Sequence, residues 1–273
     1  MPKTVTIIVA AHKDYPMPAD GMYLPLHVGA EGKTDASGKP LDLGFAKDNT
    51  GENISALNPS FCELTGLYWA WKHLDADWIG LAHYRRHFSL RRGGDDLFDR
   101  VLTEQELLPL LEDARVIVPK KRRYYIETLY SHYAHTHYAD QLDTTREIIA
   151  ERCPDYLESF DAVVNRTWGY MFNMMILPRE LLSEYCAWLF DILFELQNRM
   201  AGVELDAFQA RFYGRVSEII FNVWLDRQLR SGAIAPDQVR ELPCLHMEPV
   251  NWWKKGTAFL KAKFIHQKYG ASF

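Results

Sequence analysis

Three short runs of almost unbroken apolar residues predict β-strands that are covered on both faces. They are Thr4–Ala11 (TVTIIVAA), Trp78–Ala82 (WIGLA) and Arg115–Pro119 (RVIVP). A strand with one solvated face alternates between apolar and polar residues, whereas a strand in the middle of an α/β fold does not. The three runs therefore favour a buried, mainly parallel sheet.

The segments between these runs predict a long loop and two helices. Pro16–Gly51 is rich in Gly, Pro, Asp and Lys without periodicity, and loops of this length are commonly functional. Ser60–Glu63 and Thr103–Glu106 each fit a capping box, the pattern that starts a helix, although Asn58-Pro59 is a competing start for the first helix. The apolar face of that first helix comprises Phe61, Leu64, Tyr68 and Trp71.

The second half of the chain has mainly helical periodicity. Ile126–Arg152, Leu182–Leu196 and Asp206–Arg230 predict helices, and Tyr170–Leu177 (YMFNMMIL) predicts a further strand. Strands that alternate with helices are typical of α/β proteins. The sequence therefore predicts an α/β fold with a mixed, mainly parallel sheet and a helical C-terminal part.

Composition restricts the classes of function. The net charge of −5 over 273 residues argues against a general nucleic-acid binder. The four cysteines are widely spaced, so we expect free, buried thiols in a reducing compartment. No run is long enough to span a bilayer, and Thr4–Ala11 is too short for a signal peptide. These features lead us to expect a cytoplasmic protein.

Polar side chains follow two of the predicted strands at the point where each strand ends. They are His12 and Lys13 after the first strand, and His83, Tyr84, Arg85 and Arg86 after the second. In open α/β sheets, ligands bind beyond the carboxyl ends of the strands. The fork of donors on a guanidinium suits phosphate oxygens. The pattern favours an anion site, and a structural ion-pair cluster on a surface turn is the alternative.

Motifs for several common enzyme classes are missing from the sequence. It contains no G-x-S-x-G, no phosphate loop and no G-x-G-x-x-G, which weakens hydrolase, ATPase and dehydrogenase interpretations. Glu218 lies in an apolar helical turn, either as an ordinary exposed or ion-paired residue or as a general base with a raised pKa. Asn173 is either hydrogen-bonded within its predicted strand or a ligand contact.

Several longer stretches resemble a known family. They are Ile8–Lys13 (IVAAHK), Gly51–Ser55 (GENIS), Asn58–Lys72 (NPSFCELTGLYWAWK), Gly80–Phe88 (GLAHYRRHF), Tyr170–Ile176 (YMFNMMI) and Ser217-Glu218 before an apolar helix. The chain resembles bacterial glycosyltransferases of capsular and exopolysaccharide biosynthesis. That family was long described as a domain of unknown function, and some members are assigned as galactofuranosyltransferases. The stretches together span most of the chain.

The resemblance implies a fold, a pair of substrates and roles for particular residues. It implies one nucleotide-binding domain of the glycosyltransferase A type, which we place at residues 1–250. It also implies a nucleotide-sugar donor, expected to be a uridine diphosphate sugar such as UDP-galactofuranose, and a saccharide or lipid-linked acceptor in surface polysaccharide synthesis. The implied positions are His12, Lys13, Asn53 and Glu63 near the nucleotide, His83, Tyr84, Arg85 and Arg86 at the diphosphate and sugar, and His137, Asn173 and Glu218 on the acceptor side.

Two positions depart from the pattern of the family. Glu52 stands where relatives usually have Asp, which is a mild change. Ile219 stands where relatives usually have Arg after the glutamate equivalent to Glu218. No role of that arginine therefore carries over to this chain.

The sequence argues against a metal site. Asp75-Ala76-Asp77 has the Asp-x-Asp spacing with which many sugar-nucleotide transferases hold a divalent cation, but it precedes its strand and so lies at the wrong edge of the sheet. His132 and His135 share a helical face and His137 lies off it, which disfavours a zinc site. One of these histidines is a better candidate for acceptor binding or acid–base work.

We therefore expect a glycosyltransferase that needs neither a metal ion nor another cofactor. Glu218 or His137 would take the proton of the acceptor hydroxyl, while Arg85 and Arg86 stabilise the departing diphosphate. Two alternatives stay open. One is a sugar-nucleotide hydrolase or phosphotransferase that uses the same anion site, and the other is a non-catalytic nucleotide-sugar-binding partner in a polysaccharide assembly complex.

The last stretch, residues 251–273, predicts a basic aromatic tail. As a helix it would gather Trp252, Trp253 and Phe259 on one side, with lysines along one flank. The stretch contributes +5 to a chain of −5, so the rest carries −10. We expect the tail to associate with the inner face of the cell membrane. The alternative is a helix docked on the catalytic domain.

Overall fold

The computed structural model describes residues 3–91, 93 and 96–248. The chain divides into two compact units. Unit 1 comprises the residues up to Lys120, Phe172–Cys186 and Ile234–Met247, and unit 2 comprises Lys121–Met171, Ala187–Ala233 and the residues from Glu248 onward. The predicted boundary at residue 250 and the predicted tail lie outside the described residues.

The described residues form eleven strands and eight α-helices. The strands are β1 (Val5–Ala11), β2 (Tyr23–His27), β3 (Ala46–Lys47), β4 (Trp78–His83), β5 (Arg86–Phe88), β6 (Val116–Pro119), β7 (Arg122–Arg123), β8 (Trp168–Gly169), β9 (Met175–Pro178), β10 (Val239–Leu242) and β11 (Cys244–His246). The helices are α1 (Asn58–Phe61), α2 (Leu64–His73), α3 (Glu104–Leu107), α4 (Leu129–Thr136), α5 (Ala139–Arg152), α6 (Leu157–Val164), α7 (Arg179–Arg199) and α8 (Phe212–Ser231).

Unit 1 is built on a sheet of nine strands whose main order is β10-β6-β9-β4-β1-β2-β3. Strands β1 to β4 run parallel, and β10 runs parallel to β6. Strand β9 is antiparallel to both of its neighbours, β4 and β6. The sheet is extended by β5 and β11, which pair antiparallel with each other. The predicted α/β class with a mixed, mainly parallel sheet is confirmed.

The central strand β1 is buried on both faces, as its continuous apolar run predicts. Its side chains at Val5, Ile7 and Val9 belong to a hydrophobic core cluster of unit 1. On the opposite face Ile8 packs against α2 at Gly66, where an added Cβ would lie 2.7 Å from Val28 Cγ1. The absence of a side chain at this glycine therefore lets the helix lie close to the sheet.

The predicted loop from Pro16 to Gly51 is wrong in part, because β2 and β3 lie within it. Strand β2 has the sequence YLPLH, in which Pro25 interrupts the apolar pattern. Strand β3 pairs only with Leu26 and His27, just beyond the proline that lacks an amide hydrogen. Both strands depend on pairing with their neighbours rather than on an apolar pattern of their own.

The predicted capping box at Ser60 is wrong, and the competing start at Asn58 is the one used. Helix α1 begins at Asn58 and has Pro59 in its first turn. Cys62 then adopts a positive φ of 55°, which ends α1 before α2 begins at Leu64. The capping box at Thr103 is confirmed at the start of α3.

Two other predicted elements are shorter or divided. The strand predicted from Tyr170 begins only at Met175, so the prediction is wrong for the residues before it. Phe172 and Asn173 have φ angles of 76° and 52°, which are not compatible with an extended strand. The predicted helix Ile126–Arg152 is divided into α4 and α5, since His137 adopts an extended conformation between them.

Unit 2 is mainly helical, as the periodicity of the second half predicts. Helices α4, α5, α6 and α8 pack against one another, and β7 pairs with β8 beside them. The loop at Tyr170 is held by Asn222 of α8, whose side chain bonds both the amide and the carbonyl of Tyr170 at 2.8 Å.

Two predictions concern the whole set of described residues. All four cysteines are free, as predicted, but the expectation that all are buried is wrong, because only Cys186 is buried and the other three are half-buried. None of the helices in the described part of the chain has the length and apolar character that crossing a membrane would require.

Candidate active site

The segment His83–Arg86 forms a tight hairpin at the carboxyl end of β4. His83, the last residue of β4, pairs with Arg86, the first residue of β5, so that Tyr84 and Arg85 form the connection. The hairpin is fixed from the other side by β11, which pairs with β5, and by Met247 directly after it, whose amide donates to the carbonyl of Arg85 at 3.0 Å. The four polar residues are therefore held by backbone pairing on both sides.

The ring of Tyr84 gathers several polar side chains from the ends of β1 and β4. The ring is only 6% exposed. His12 and Tyr15 make edge contacts with it, with centroids 5.3 and 4.9 Å away. The Lys13 ammonium and the Arg85 guanidinium lie 5.4 and 5.1 Å from its centroid. Two cations thus share one buried ring at the carboxyl edge of the sheet.

A second group lies around His83 and the start of β9. The Nε2 atom of His83 donates to the carbonyl of Phe172 at 2.6 Å, since a carbonyl can only accept. Asn173 donates its side-chain amide to Glu63 Oε1 at 2.7 Å. The guanidinium of Arg86 lies 4.6 Å from the centroid of the Phe172 ring. Strands β4 and β9 and the start of α2 therefore meet at this point.

The backbone at Phe172 and Asn173 is strained. Both residues have positive φ angles, which bulky side chains rarely adopt. Such residues persist only where their surroundings determine the conformation, and they are concentrated at functional sites. Here the conformation places the Phe172 carbonyl on His83 and the Asn173 amide on Glu63, so the strained turn connects the two sides of the group.

Electrostatics favour binding of an anion at this edge. Burial lowers the pKa of His83, and the nearby Glu63 only partly opposes this. The imidazole is therefore neutral near neutral pH and acts as a hydrogen-bond donor. Arg86 forms no ion pair with any acid among the described residues, and its buried Nε lacks a hydrogen-bond partner there. An arginine without a protein counter-ion is suited to an anionic ligand.

The loop that follows β2 is organised by a fully buried carboxylate. Asp48 accepts hydrogen bonds from the amides of Gly29 and Ala30 at 2.8 and 3.1 Å. It also accepts from the hydroxyls of Ser55 and Thr65 at 2.5 and 2.6 Å. Four hydrogen-bond donors satisfy this carboxylate. Its role is to fix the loop beside the carboxyl ends of β1 and β2.

Asn53, which is predicted to lie near the nucleotide, belongs to this loop rather than to the groups around Tyr84 and His83. Its side chain accepts from the Ser55 amide at 3.1 Å and donates to the Gly51 carbonyl at 2.9 Å. Both ends of the amide therefore stabilise local turns. Its contact with a nucleotide stays a prediction.

Of the two predicted residues of unit 2, His137 directly follows α4 and Glu218 lies on α8. His137 is 8% exposed, and its Nδ1 lies 3.0 Å from Gln209 Oε1 and 3.1 Å from Arg215 Nη1. Glu218 is half-buried on α8, one turn after Arg215. Their roles on the acceptor side stay predictions.

The other histidines of the predicted cluster have a different partner. His132 and His135 each place Nδ1 on the carboxylate of Glu127, at 3.0 and 2.6 Å. The described residues contain no group of three or more His, Cys, Asp or Glu that could hold a metal ion.

The Asp-x-Asp sequence lies at the amino edge of the sheet, as expected. Asp77 accepts from the amide and hydroxyl of Thr4 at 2.8 and 3.0 Å, just before β1. Asp75 pairs with Arg179. Both carboxylates thus have structural partners at the edge opposite to the histidine and arginine hairpin.

The structure brings together most of the predicted residues of unit 1. The residues that it joins are His12, Lys13, Glu63, His83, Tyr84, Arg85, Arg86 and Asn173. Sequence reasoning missed Tyr15, Phe172 and His246, whose ring lies 6.0 Å from that of Phe172. Tyr15 follows directly after the polar end of β1, and that position was the one available signal.

Comparison with known proteins gives one family and one solved structure. The chain is similar to the apo structure of WbbM, described as a bifunctional glycosyltransferase, with a TM-score of 0.80 and 26% sequence identity. The similarity covers 90% of this chain and 46% of that one, so this chain spans less than half of WbbM. The fold agrees with the A-type domain expected from the sequence. A search of curated proteins gave no significant match. Residues 6–229 match the model of a domain of unknown function, DUF4422, and since this is most of the chain, the protein belongs to the DUF4422 family.

Proposed function

We propose that the protein is a metal-independent glycosyltransferase that transfers a sugar from a nucleotide diphosphate donor to a saccharide or lipid-linked acceptor. The observation that carries the proposal is the placement of Lys13, Arg85 and Arg86 at the carboxyl ends of β1 and β4. Cations at this edge of an α/β sheet are suited to a diphosphate. The similarity to the WbbM glycosyltransferase supports glycosyl transfer rather than another use of the anion site.

The donor would bind with its diphosphate against these cations. Lys13 and His12 are exposed, and Arg85 and Arg86 are half-buried, so all four are accessible to a ligand. The neutral His83 and the strained turn at Phe172 would fix the hairpin without adding a competing charge. A uridine diphosphate sugar, with UDP-galactofuranose among the candidates, follows from the resemblance of the motif stretches to the polysaccharide glycosyltransferases.

The chemistry needs a stabilised leaving group and a base. The acceptor oxygen forms a bond to the anomeric carbon of the donor while the bond from that carbon to the diphosphate oxygen breaks. The negative charge that develops on the diphosphate would be stabilised by Arg85 and Arg86, as a divalent cation does in other transferases. Glu218 or His137 would accept the proton of the acceptor hydroxyl.

The proposal can be tested by ligand screening followed by product analysis. We expect uridine diphosphate sugars to raise the melting temperature of the full chain in the presence of a chelator, because a ligand that binds only the folded state stabilises it. We then expect a glycosylated product when the donor is combined with a saccharide or lipid-linked acceptor. Release of free sugar at the same rate without acceptor would instead indicate a hydrolase. Binding without turnover across a broad acceptor panel would indicate a non-catalytic partner.

A further inference from the structure

The segment Lys121–Ile126 of unit 2, which contains β7 and the turn after it, exposes an unusual pair of apolar side chains. Tyr125 is 80% exposed and Ile126 is 61% exposed, and these are the two most exposed large hydrophobic residues in the described part of the chain. We call Tyr125 and Ile126 the apolar tip. The next most exposed, Val203, lies elsewhere in unit 2 at 48%.

The tip is held in place by the backbone on both sides. The amide of Ile126 donates to the carbonyl of Tyr124 at 2.6 Å, and the amide of Tyr124 donates to the carbonyl of Thr167 at 2.7 Å. After the tip, Thr128 caps the start of α4 through the amide of Ser131. The apolar tip is therefore a fixed projection between β7 and α4.

Tyr125 has a strained conformation that its own burial does not explain. Its φ of 56° is unfavourable for an aromatic residue, and its ring packs little against the protein. Strain that is kept without a packing benefit points to a function of the exposed side chain.

The tip is preceded by four consecutive basic residues, of which the last three belong to unit 2. The chain reads Lys121, Arg122, Arg123, and Arg123 is exposed. The Lys121 ammonium lies 4.4 Å from the centroid of the Trp168 ring, and the Arg122 guanidinium lies 5.1 Å from that of Tyr124. These contacts hold two of the positive charges beside the tip.

The nearest acid in sequence does not neutralise this surface. Glu127 is only 3% exposed, and both of its carboxylate oxygens are engaged by histidine nitrogens of α4. The surface of Lys121–Ile126 is therefore basic around an exposed aromatic and an exposed aliphatic side chain.

We propose that Lys121–Ile126 binds an anionic bilayer, with Tyr125 and Ile126 inserted at headgroup depth and Arg122 and Arg123 on the lipid phosphates. Tyrosine is enriched at this depth because its ring is apolar and its hydroxyl polar. Basic residues near the surface add an electrostatic attraction to anionic lipids. An acidic protein surface would satisfy the charges but not the two apolar side chains. The inference goes beyond glycosyl transfer and does not depend on it.

Co-sedimentation of the full chain with vesicles tests this. We would use vesicles of equal parts phosphatidylcholine and phosphatidylglycerol at low salt. Tyr125→Asn with Ile126→Ser should weaken binding about tenfold, since apolar side chains are lost from the interface. Asparagine tolerates a positive φ, so the fold should remain intact. Arg122→Gln with Arg123→Gln should weaken binding about twenty-fivefold, at about fivefold for each charge.

Matched controls show whether a loss of binding is specific to Lys121–Ile126 or follows from any loss of charge or apolar surface. Every variant retains residues 251–273, so any contribution of those residues is the same in all of them. Val203→Ser removes an exposed apolar residue elsewhere, and Lys33→Gln with Lys39→Gln removes two exposed charges from unit 1. Both controls should bind like the wild type, and high salt should weaken wild-type binding. The inference would be overturned if the wild type did not bind, if the loop variants bound as well as the wild type, or if the lysine control lost as much binding as the arginine variant.

Discussion

Among single residues, Tyr84 does most to define the site. Its ring is almost fully buried, yet it contacts an imidazole, a second tyrosine, an ammonium and a guanidinium. A buried ring cannot rotate away, so the cations that lie against it are kept at the carboxyl edge of the sheet before a ligand arrives. Such preorganisation is what makes fixed charges effective in stabilising a leaving group.

The first prediction concerns the two arginines of the hairpin. Arg85→Ala and Arg86→Ala should each fold normally and reduce turnover by about 10²–10³, the usual effect of losing one well-placed electrostatic contact. Replacement of either arginine by lysine should also reduce turnover strongly, because a point charge does not replace the bidentate fork of a guanidinium. The measurement is the rate of sugar transfer, with Arg240→Ala on β10 as a control. Near-normal rates in both alanine variants would disprove the role of the hairpin.

The second prediction concerns His87, which is fully buried beside the hairpin. Burial lowers its pKa to about 4, and neither ring nitrogen makes a hydrogen bond of ordinary geometry within the described part of the chain. The unfolded state binds a proton near pH 6.5, whereas the folded state does not until about pH 4. The free energy of unfolding should therefore fall by about 3 kcal/mol as the pH decreases from about 6.5 to about 4. Below about pH 4, His87 should cause no further fall.

The variant His87→Phe tests this dependence. It keeps an aromatic ring against Tyr23 and Phe98 and removes the titrating group. Denaturant unfolding at a series of pH values should show a flatter profile for His87→Phe than for the wild type. Val203→Ser, at an exposed position without a titrating group, serves as a control and should leave the profile unchanged. An unchanged profile in His87→Phe would contradict the prediction.

Among the elements, those with their own sequence pattern were predictable and those that depend on pairing were not. β1, β4 and β6 are continuous apolar runs, and α3 has a true capping box. Strand β2 is interrupted by Pro25, and β5 and β11 have only three residues each, so these strands have no pattern of their own and exist because neighbours supply their hydrogen bonds. From the sequence, the hairpin at the site could therefore be predicted only as a set of polar residues at the end of a strand.

The turn at Phe172 and Asn173 is a second case in which the local sequence pattern does not determine the structure. The run YMFNMMIL is typical of a strand, and its conformation is overridden by contacts with residues distant in sequence, Glu63 and His83. The capping box expected at Ser60 failed for a related reason. Glu63 instead accepts a hydrogen bond from Asn173, which belongs to the site.

The third prediction tests how the loop after β2 is positioned. Gly29 and Gly44 have nearly the same φ, 69° and 70°. A Cβ at Gly29 would lie 2.4 Å from Asn58 Oδ1, whereas one at Gly44 would have no atom within 4 Å. Gly44→Ala should therefore cost only the backbone strain, on the order of 1 kcal/mol, while Gly29→Ala should cost clearly more. Thermal unfolding gives the comparison, and equal losses would show that Asn58 moves aside freely.

At the scale of the whole molecule, the residues proposed for the two substrates are divided unequally between the units. The residues proposed for donor binding all lie in unit 1. Of those proposed for the acceptor side, Asn173 lies in unit 1, and His137 and Glu218 lie in unit 2. The family match covers residues 6–229 and so includes both units. The fold class could be predicted because it follows from the order of apolar runs. The chemistry of the acceptor side could not, because His137 and Glu218 have no local pattern that distinguishes a base from a structural residue.

The central claim is that fixed cations of unit 1, rather than a metal ion, bind the diphosphate of the donor. The most direct measurement is a calorimetric titration of the full chain with UDP and with UMP, in the presence of a chelator. We expect UDP to bind at least about tenfold more tightly than UMP, since its second phosphate gains charge-assisted hydrogen bonds, and we expect Arg85→Ala to remove most of that difference. Equal affinity for UDP and UMP, or UDP binding that requires manganese or magnesium, would contradict the account.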